Sequence, residues 1–366
     1  MKSRGAALVL AAIVVVVGAS AYSHWRWGKA SRDPRSELLS ALPFTSDTKA
    51  VVYLDVASLG HSVFLKQLIT WAAKPAEDPD YTQFVRNTGF DYERDLDATA
   101  IAIMGDGETS GIYAIAKGRF DEKKITAYAL RTGNSQKENA RTVYCVPVSG
   151  KTGQICFAFE GDERIVLTNE ANLAGSLART SDATDPAEWR LRFERLAGSP
   201  AFAVIRRDAS AASAFAGAAP GGFQSPQLAT LLSQLSWITI AGKPDGPQME
   251  IVAEGETSDS SLALQLSDFL NGIVLMAETG LNDPKVQAHL DAGTEDAYQQ
   301  LLKSADISRI DRGLTKSVRV VVTITPQLLK SSQTTPAETA PPAAQDARHS
   351  LKNEKESGSR KALQRH

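Results

Sequence analysis

Residues 50–56 read AVVYLDV, and this stretch places the first strand of the fold. Its branched and aromatic side chains are typical of a buried strand. A helical pattern follows at 58–74, and two further strand patterns at 99–104 and 111–117 flank a Gly-Asp-Gly-Glu turn. The order strand, helix, hairpin predicts an antiparallel sheet with helices packed on one face.

A similar order of elements begins again at residues 201–205, which read AFAVI. A hairpin pattern follows at 237–254, and a final strand alternates at 317–325. The sequence therefore predicts an α+β fold of two tandem pseudo-repeated halves, 36–198 and 199–330. Each half is expected to be an antiparallel sheet with helices packed on one face. The halves share no residue-level identity, so the repeat is a hypothesis about topology.

Two long helices are predicted in the second half. The first covers 259–279, and the second covers 285–304. The apolar stripe of the first helix follows the helical period and consists of Leu262, Leu266, Phe269, Ile273 and Ala277.

The first 35 residues are predicted to be a membrane-directed segment and its linker. Lys2 and Arg4 precede an apolar run, and Ala19-Ser20-Ala21 fits the small-x-small pattern of a signal peptidase site. Cleavage there would export the body. The alternative, which we favour slightly, is an uncleaved anchor near the lower length limit for crossing a bilayer. The membrane segment contains Ala6, Val14, Val17 and Tyr22.

The body is expected on the extracytoplasmic, periplasmic side of a bacterial inner membrane. Cations lie on both sides of the apolar run, so the positive-inside rule gives a weak orientation signal. Residues 331–366 are rich in Ser, Thr and Pro and then in charges, which predicts a disordered charged tail. The expected partners are the membrane, through the N-terminal segment, and an unknown envelope component or protein.

Charge and composition exclude several function classes. The 366 residues carry 40 Lys and Arg against 42 Asp and Glu, a net charge of −2. The basic excess of a nucleic-acid binder is missing, so no nucleic-acid partner is predicted. Five His and two Cys leave little for a metal site. No cofactor, metal or catalytic residue is therefore predicted.

The two cysteines lie on neighbouring predicted strands. If Val148 pairs with Gly153, Cys145 falls directly opposite Cys156, within reach of a disulfide bond. Such a bond persists in an oxidising compartment. Two free cysteines in the core are equally compatible with the pattern.

The densest acidic cluster, Asp91, Glu93, Asp95 and Asp97, is a weak candidate polar site. Clustered carboxylates can bind a cation or act as acid and base. However, the cluster lacks the turn glycine of a calcium loop. We favour a structural interpretation, in which Asp91 caps a helix and its neighbours stabilise the helix dipole.

Two short motifs resemble an uncharacterised bacterial envelope family, a domain of unknown function. The first is Leu42-Pro43 followed by Asp47-Thr48 and the strand Val51–Leu54. The second is Gly89-Phe90-Asp91 with Asp95-Leu96, which is similar to the family's Gly-x-Asp…Asp-Leu element. The resemblance implies one N-terminal membrane segment and a tandem α+β body, and it brings no catalytic residues.

The leading hypothesis is an envelope protein with a non-catalytic binding or structural role. One alternative is an exported hydrolase with a dispersed active site. It would require a concave pocket with convergent polar groups and perturbed carboxylates around residues 91–97. The other alternative is a lipid-binding carrier, which would require an apolar cavity between the sheet and the helices.

Overall fold

The computed structural model describes eight segments of the chain: 34–71, 79–105, 111–138, 141–147, 153–170, 186–207, 226–288 and 290–328. These residues belong to one compact unit, which ends at Lys330. The predicted membrane segment and the predicted tail lie outside the described residues.

The described residues form an α+β fold, as the sequence predicts. The helices are α1 (Pro34–Ser40), α2 (Val56–His61), α3 (Val63–Trp71), α4 (Pro79–Thr88), α5 (Tyr92–Asp95), α6 (Glu122–Thr132), α7 (Pro186–Arg195), α8 (Pro226–Ser233), α9 (Ser260–Leu281), α10 (Pro284–Gln287) and α11 (Ala292–Ser304). The strands are β1 (Thr48–Asp55), β2 (Leu96–Met104), β3 (Gly111–Gly118), β4 (Asn134–Glu138), β5 (Arg141–Pro147), β6 (Gln154–Phe159), β7 (Arg164–Thr168), β8 (Ala201–Arg206), β9 (Trp237–Asp245), β10 (Gln248–Thr257), β11 (Asp306–Arg312) and β12 (Thr315–Ile324).

The twelve strands form one sheet in the order β11-β12-β10-β9-β8-β1-β2-β3-β7-β6-β5-β4, and neighbours are antiparallel. The two halves meet at β1 and β8, where Val52 lies opposite Ala203. Their sheets are therefore joined edge to edge. The physical reason is that β1 and β8 would each otherwise expose an apolar strand edge with unpaired backbone groups.

The two halves share one order of strand pairing. In the first half β1 pairs with β2, β2 with β3, and β3 with β7. In the second half β8 pairs with β9, β9 with β10, and β10 with β12. A helix precedes the first strand of each half, α1 or α7, and a helix follows each hairpin, α6 or α9. We therefore count α7 with the second half, although it lies before the predicted boundary at residue 199. This shared order is the tandem repeat that the sequence predicts.

Helices cover the sheet on both faces, whereas the sequence predicts helices on one face of each half. We call the side that carries Val52 and Leu54 the back face, and the side that carries Val51 and Tyr53 the front face. On the back face, α2 and α3 pack at the centre, α6 packs on the first half, and α8 and α9 pack on the second half. On the front face, α1 and α7 pack over the junction of the halves. The front-face core includes Leu38, Leu42, Tyr53, Trp189, Phe193 and Phe202.

Local signals explain where the helices begin and end. The Asp121 carboxylate accepts a hydrogen bond from the Lys124 amide at 3.1 Å and so begins α6. Gly89 follows α4 with φ +73°, a conformation that favours glycine. The predicted continuous helix over 285–304 is wrong, because Asp291 caps a new helix, α11, by accepting from the Thr294 amide at 3.0 Å.

Candidate functional site

The hairpin of β5 and β6 brings the two cysteines together. Cys145 lies opposite Cys156, their Cα atoms are 4.0 Å apart, and their sulfur atoms are bonded. Both side chains are buried in the front-face core. Because the bond is buried, we interpret it as a covalent cross-link between strands rather than as a reactive centre.

The acidic cluster forms the start of a short helix. Asp91 begins α5, since its carboxylate accepts a hydrogen bond from the Glu93 amide at 3.0 Å. The amide of Asp91 in turn donates to the Asp95 carboxylate at 3.0 Å. Asp97 lies in β2, where the register with β3 shifts. Two of the four acids, Asp91 and Asp95, are therefore connected through the backbone of this turn.

Asp95 is neutralised by two arginines. Its carboxylate lies 2.6 Å from the Arg94 guanidinium and 3.0 Å from that of Arg119. Burial alone would raise the pKa of Asp95, but hydrogen bonds from Arg94 and the Asp91 amide, with the charge of Arg119, lower that pKa below its ordinary value. Asp95 is therefore a carboxylate at neutral pH.

Two tyrosines pack beside this turn. The rings of Tyr81 and Tyr92 are 5.0 Å apart. Burial, together with the charges of Glu93 and Asp91, raises the pKa of Tyr92 to about 12. Burial also raises the pKa of Tyr81, whose hydroxyl donates to Asp91 at 3.4 Å. Both phenols therefore stay protonated and polar without contributing charge.

A cleft of about 480 Å³ lies beside Asp95. Its lining includes Arg94, Arg119 and Lys124, together with the aromatic rings of Phe90 and Phe120. A pocket with a perturbed carboxylate is therefore present where the hydrolase alternative requires one. The pKa of that carboxylate is shifted downward, however, whereas a general acid at neutral pH needs a raised pKa.

The second half buries a network of ion pairs that the sequence analysis does not anticipate. Glu254 and Glu256 lie on the front face of β10, beneath α7. Arg192 of α7 contacts Glu256 at 2.5 Å, and these side chains are only 4% and 1% exposed. Arg195 contacts both glutamates, and Arg312 of β11 contacts Glu254 at 2.5 Å.

The same network includes an aromatic contact. The Arg192 guanidinium lies 3.9 Å from the centre of the Trp237 ring, a cation–π geometry. Burial alone would raise the pKa of Glu254, but hydrogen bonds from Arg312 and Ser317 and the charge of Arg195 lower that pKa. Glu254 is therefore a carboxylate at neutral pH. The i,i+3 spacing of Arg192 and Arg195 and the i,i+2 spacing of Glu254 and Glu256 are the sequence signals that could have revealed it.

A larger cleft, about 610 Å³, lies at the junction of the two halves, and we call it the central cleft. Polar side chains enter it from four parts of the chain. These are Arg35 from α1, Ser58 and His61 from α2, Ser199 from the segment before β8, and Lys243 from β9. In contrast to the acidic cluster, most of the charged side chains that line this cleft are cationic.

Helix α9 has two different ends. Its N-terminal half packs on the back face, where Leu262 and Leu266 are buried. Its C-terminal half exposes Leu275 and Met276, which are 64% and 67% accessible. Within the part of the chain that the structure describes, α9 is the helix long and apolar enough to cross a membrane. Only the N-terminal half of α9 therefore packs against the sheet as a core helix does.

A metal centre is not evident among the described segments, since no group of three His, Cys, Asp or Glu there could hold an ion. Residue 289, the second histidine of the body, lies outside the described residues. His61 lies in the central cleft.

Comparison with known proteins finds similarity at the level of structure. No family model matches the chain, and no curated protein matches it. Solved structures that are similar include crystal form III of TP0453, with 13% identity and a TM-score of 0.44, covering 83% of this chain and 98% of that chain. Crystal form IV of TP0453 has 12% identity and a TM-score of 0.42, covering 83% and 97%. The assignment of the fold class rests on the strand order and helices described above.

Proposed function

We propose that this chain is a non-catalytic protein of the bacterial envelope, held at the inner membrane by its N-terminal segment, with its body in the periplasm. The observation that carries the proposal is the buried Cys145–Cys156 bond. Structural disulfides persist in oxidising compartments and are rare in the cytosol. A body with such a bond, following an apolar run with preceding cations, fits export across a membrane.

A binding role fits the body better than catalysis does. Asp95 and Glu254 are tied to arginines and have lowered pKa values, so neither carboxyl is suited to donate a proton at neutral pH. The central cleft offers cations and hydroxyl groups instead. The resemblance of Leu42–Leu54 and Gly89–Leu96 to an envelope family adds support for this location.

Reporter fusions test the location directly. We expect a periplasmic alkaline phosphatase fused after residue 330 to be active, because the body would carry it across the membrane. A cytoplasmic reporter at the same position should be inactive. Deletion of residues 1–33, which leaves α1 intact, is the matched control and should reverse both results. An inactive phosphatase with an active cytoplasmic reporter on the full chain would refute the proposal.

The hydrolase alternative has one observation in its favour, the cleft beside Asp95. It is tested with chromogenic ester, phosphate and glycoside substrates on the full chain and on Asp95→Asn. We expect no turnover above that of a buffer blank for either protein. If the native chain turned over a substrate and Asp95→Asn did not, the non-catalytic proposal would be wrong and the hydrolase alternative would be supported. The carrier alternative has no such observation among the described residues.

A further inference from the structure

The outer side of α9 carries exposed apolar side chains at helical spacing. Leu264, Leu275 and Met276 are 42%, 64% and 67% exposed. Leu264 and Leu275 lie on the same side of the helix, because they are about three turns apart. The buried contacts of α9 with the sheet are made by other residues, such as Leu262 and Leu266. The outer side chains are therefore not used to hold α9 on the core.

Acidic side chains alternate with these apolar ones along the same side of α9. Asp268 lies one turn after Leu264, and Glu278 lies three residues after Leu275, so each acid neighbours a leucine on the helix surface. Both acids are exposed, and among the described residues neither forms an ion pair. We call the four residues Asp268, Leu275, Met276 and Glu278 the α9 patch.

The surroundings of the α9 patch are also acidic. Helix α9 itself contains no Lys or Arg. Residues 259–304, which include α9, α10 and α11, contain seven acidic residues and two lysines, and α10 and α11 pack against α9. The C-terminal end of α9 adds the partial negative charge of a helix end. The apolar side chains of the patch therefore lie in a negative electrostatic potential.

An exposed cation of the neighbouring strand β11 lies at the other end of α9. Arg309 pairs with Val318, which in turn lies opposite Gly255 on β10. Since α9 begins just after β10 ends, Arg309 is level with the start of the helix and not with Leu275. The C-terminal half of the patch therefore keeps its acidic character.

This combination of charges favours a protein partner over a lipid surface. Helices that lie on membranes carry Lys and Arg on their polar side, because these residues are attracted to anionic lipids. The α9 patch presents carboxylates instead and would be repelled. An apolar surface with acidic neighbours is complementary to a helix that has apolar residues on one side and Lys or Arg beside them. Methionine suits such a surface because its flexible side chain adapts to the partner.

We propose that the α9 patch is a docking surface for a cationic amphipathic helix of another protein. Leu275 and Met276 are its apolar anchors. Asp268, about 10 Å before Leu275 along the helix axis, and Glu278, one turn after it, pair with Lys or Arg of the partner. The inference deepens the proposed function and rests on its binding role, since it names the chemistry of the partner.

The test uses the full chain in phosphatidylcholine nanodiscs and two labelled synthetic peptides of about 18 residues, long enough to form helices. One peptide has Leu on one side and Lys on the other, and the second has Glu in place of Lys. Binding is measured by fluorescence anisotropy, with empty nanodiscs as the blank. Cosedimentation with phosphatidylglycerol vesicles, in the absence of peptide, tests docking on lipid.

Two variants of the α9 patch are compared with one control. Leu275→Ser with Met276→Ser removes the apolar anchors, and Asp268→Lys with Glu278→Lys reverses the charge. The control, Leu130→Ser, removes an exposed leucine of α6 in the first half. All five positions are exposed, so we expect every variant to fold, and thermal melting without peptide checks this.

We expect the native chain to bind the Lys peptide more tightly than the Glu peptide. The serine variant should bind the Lys peptide at least about tenfold more weakly. The charge-reversed variant should prefer the Glu peptide, and the control should behave as the native chain does.

Three results would overturn the inference. The first is equal affinity of the native chain for the two peptides or binding of neither, and the second is native affinity in the serine variant. The third is cosedimentation of the native chain with the vesicles that the serine variant loses, since it would assign the α9 patch to lipid. The reporter fusions do not depend on the α9 patch, so failure here leaves the proposed location standing.

Discussion

The two halves of the sheet present different side chains at equivalent places in their shared strand order. On the front face of the first half, β3 presents the buried side chains Tyr113 and Ile115. In the second half, β10 presents Glu254 and Glu256, which pair with arginines of α7 and β11. The outer strands of the first half are cross-linked by a disulfide instead. The same strand order therefore accommodates a front face of apolar side chains with a disulfide in the first half, and a front face with buried ion pairs in the second half.

This difference teaches that the two halves should respond to different perturbations. The covalent link of the first half is sensitive to reduction and insensitive to acid. The ion pairs of the second half are insensitive to reduction, but they depend on every partner being present, because a buried charge without its partner is costly. Mutation, reduction and pH therefore separate the two halves experimentally.

The largest effect is expected from breaking the buried pair. Arg192→Ala should lower the free energy of unfolding by about 3–5 kcal/mol, because Glu256 keeps its buried charge and loses one of its two arginines. Denaturant titration at pH 7 measures the change.

Two matched variants sharpen this result. Glu188→Gln removes a half-exposed partner of the same arginine and should cost less than about 1 kcal/mol. Arg192→Met with Glu256→Leu removes both buried charges and should be more stable than Arg192→Ala alone. Equal losses for Glu188→Gln and Arg192→Ala would show that burial does not set the strength of this network.

The next effect concerns the first half. Cys145→Ala with Cys156→Ala should lower the free energy of unfolding by about 2–3 kcal/mol, because the cross-link closes a short loop in the unfolded chain. A reductant should lower the stability of the native chain by a similar amount and leave that of the double variant unchanged. Reductant sensitivity that persists in the double variant would contradict this assignment.

A smaller effect is expected from acid. The pKa of Glu254 is lower in the folded state than in the unfolded chain, where it is about 4.3. The stability it contributes is therefore fully present above that unfolded pKa, and it is lost as the pH falls through the folded pKa. Glu254→Gln should accordingly lose less stability than the native chain between pH 5 and strongly acidic solution. Denaturant titrations at several pH values in this range measure how the free energy of unfolding depends on pH. The same pH dependence for the Glu254→Gln variant and the native chain would contradict this prediction.

The smallest effect is expected from the ion pair of the first half. Arg94 is more than half exposed where it meets Asp95, and Arg119 also contacts that carboxylate. Arg94→Ala should therefore cost no more than about 1 kcal/mol in thermal or denaturant unfolding. A loss as large as that of Arg192→Ala would remove the contrast between the two halves.

The central strands of the sheet could be predicted from the sequence. Strands β1, β2, β3, β8, β9, β10 and β12 lie within a few residues of their expected positions, because runs of apolar and branched residues are a strong local signal. The outer strands β4 and β11 were missed. Their sequences, NSQKE and DISRIDR, are polar or charged on both sides, which is common in strands at the edge of a sheet.

Other features depend on contacts that local patterns do not contain. The pairing of β1 with β8 joins segments about 150 residues apart along the chain, so a single sheet could not be distinguished from two. Helix α7 was missed because its polar residues hide the spacing of Trp189, Phe193 and Leu196. Its ion pair with Glu256 spans 64 residues and needs both elements to be placed first.

The site residues likewise divide into those that a local sequence pattern predicts and those that only long-range contacts bring together. The direct opposition of Cys145 and Cys156 follows from counting residues across one short turn, and the structure places them in that register. The capping role of Asp91 is likewise a local pattern, and Asp91 begins α5. The central cleft draws Arg35, His61 and Lys243 from distant segments, so no local motif marks it.

The redox state of the two cysteines in living cells tests the proposed location and the disulfide most directly, since the chain has only these two cysteines. Intact cells are quenched in acid, free thiols are blocked with one reagent, and thiols released by reduction are labelled with a second reagent. We predict that Cys145 and Cys156 carry only the second label, as expected for a disulfide-bonded body outside the cytoplasm. Both cysteines carrying the first label would contradict the proposed location and the cross-link together.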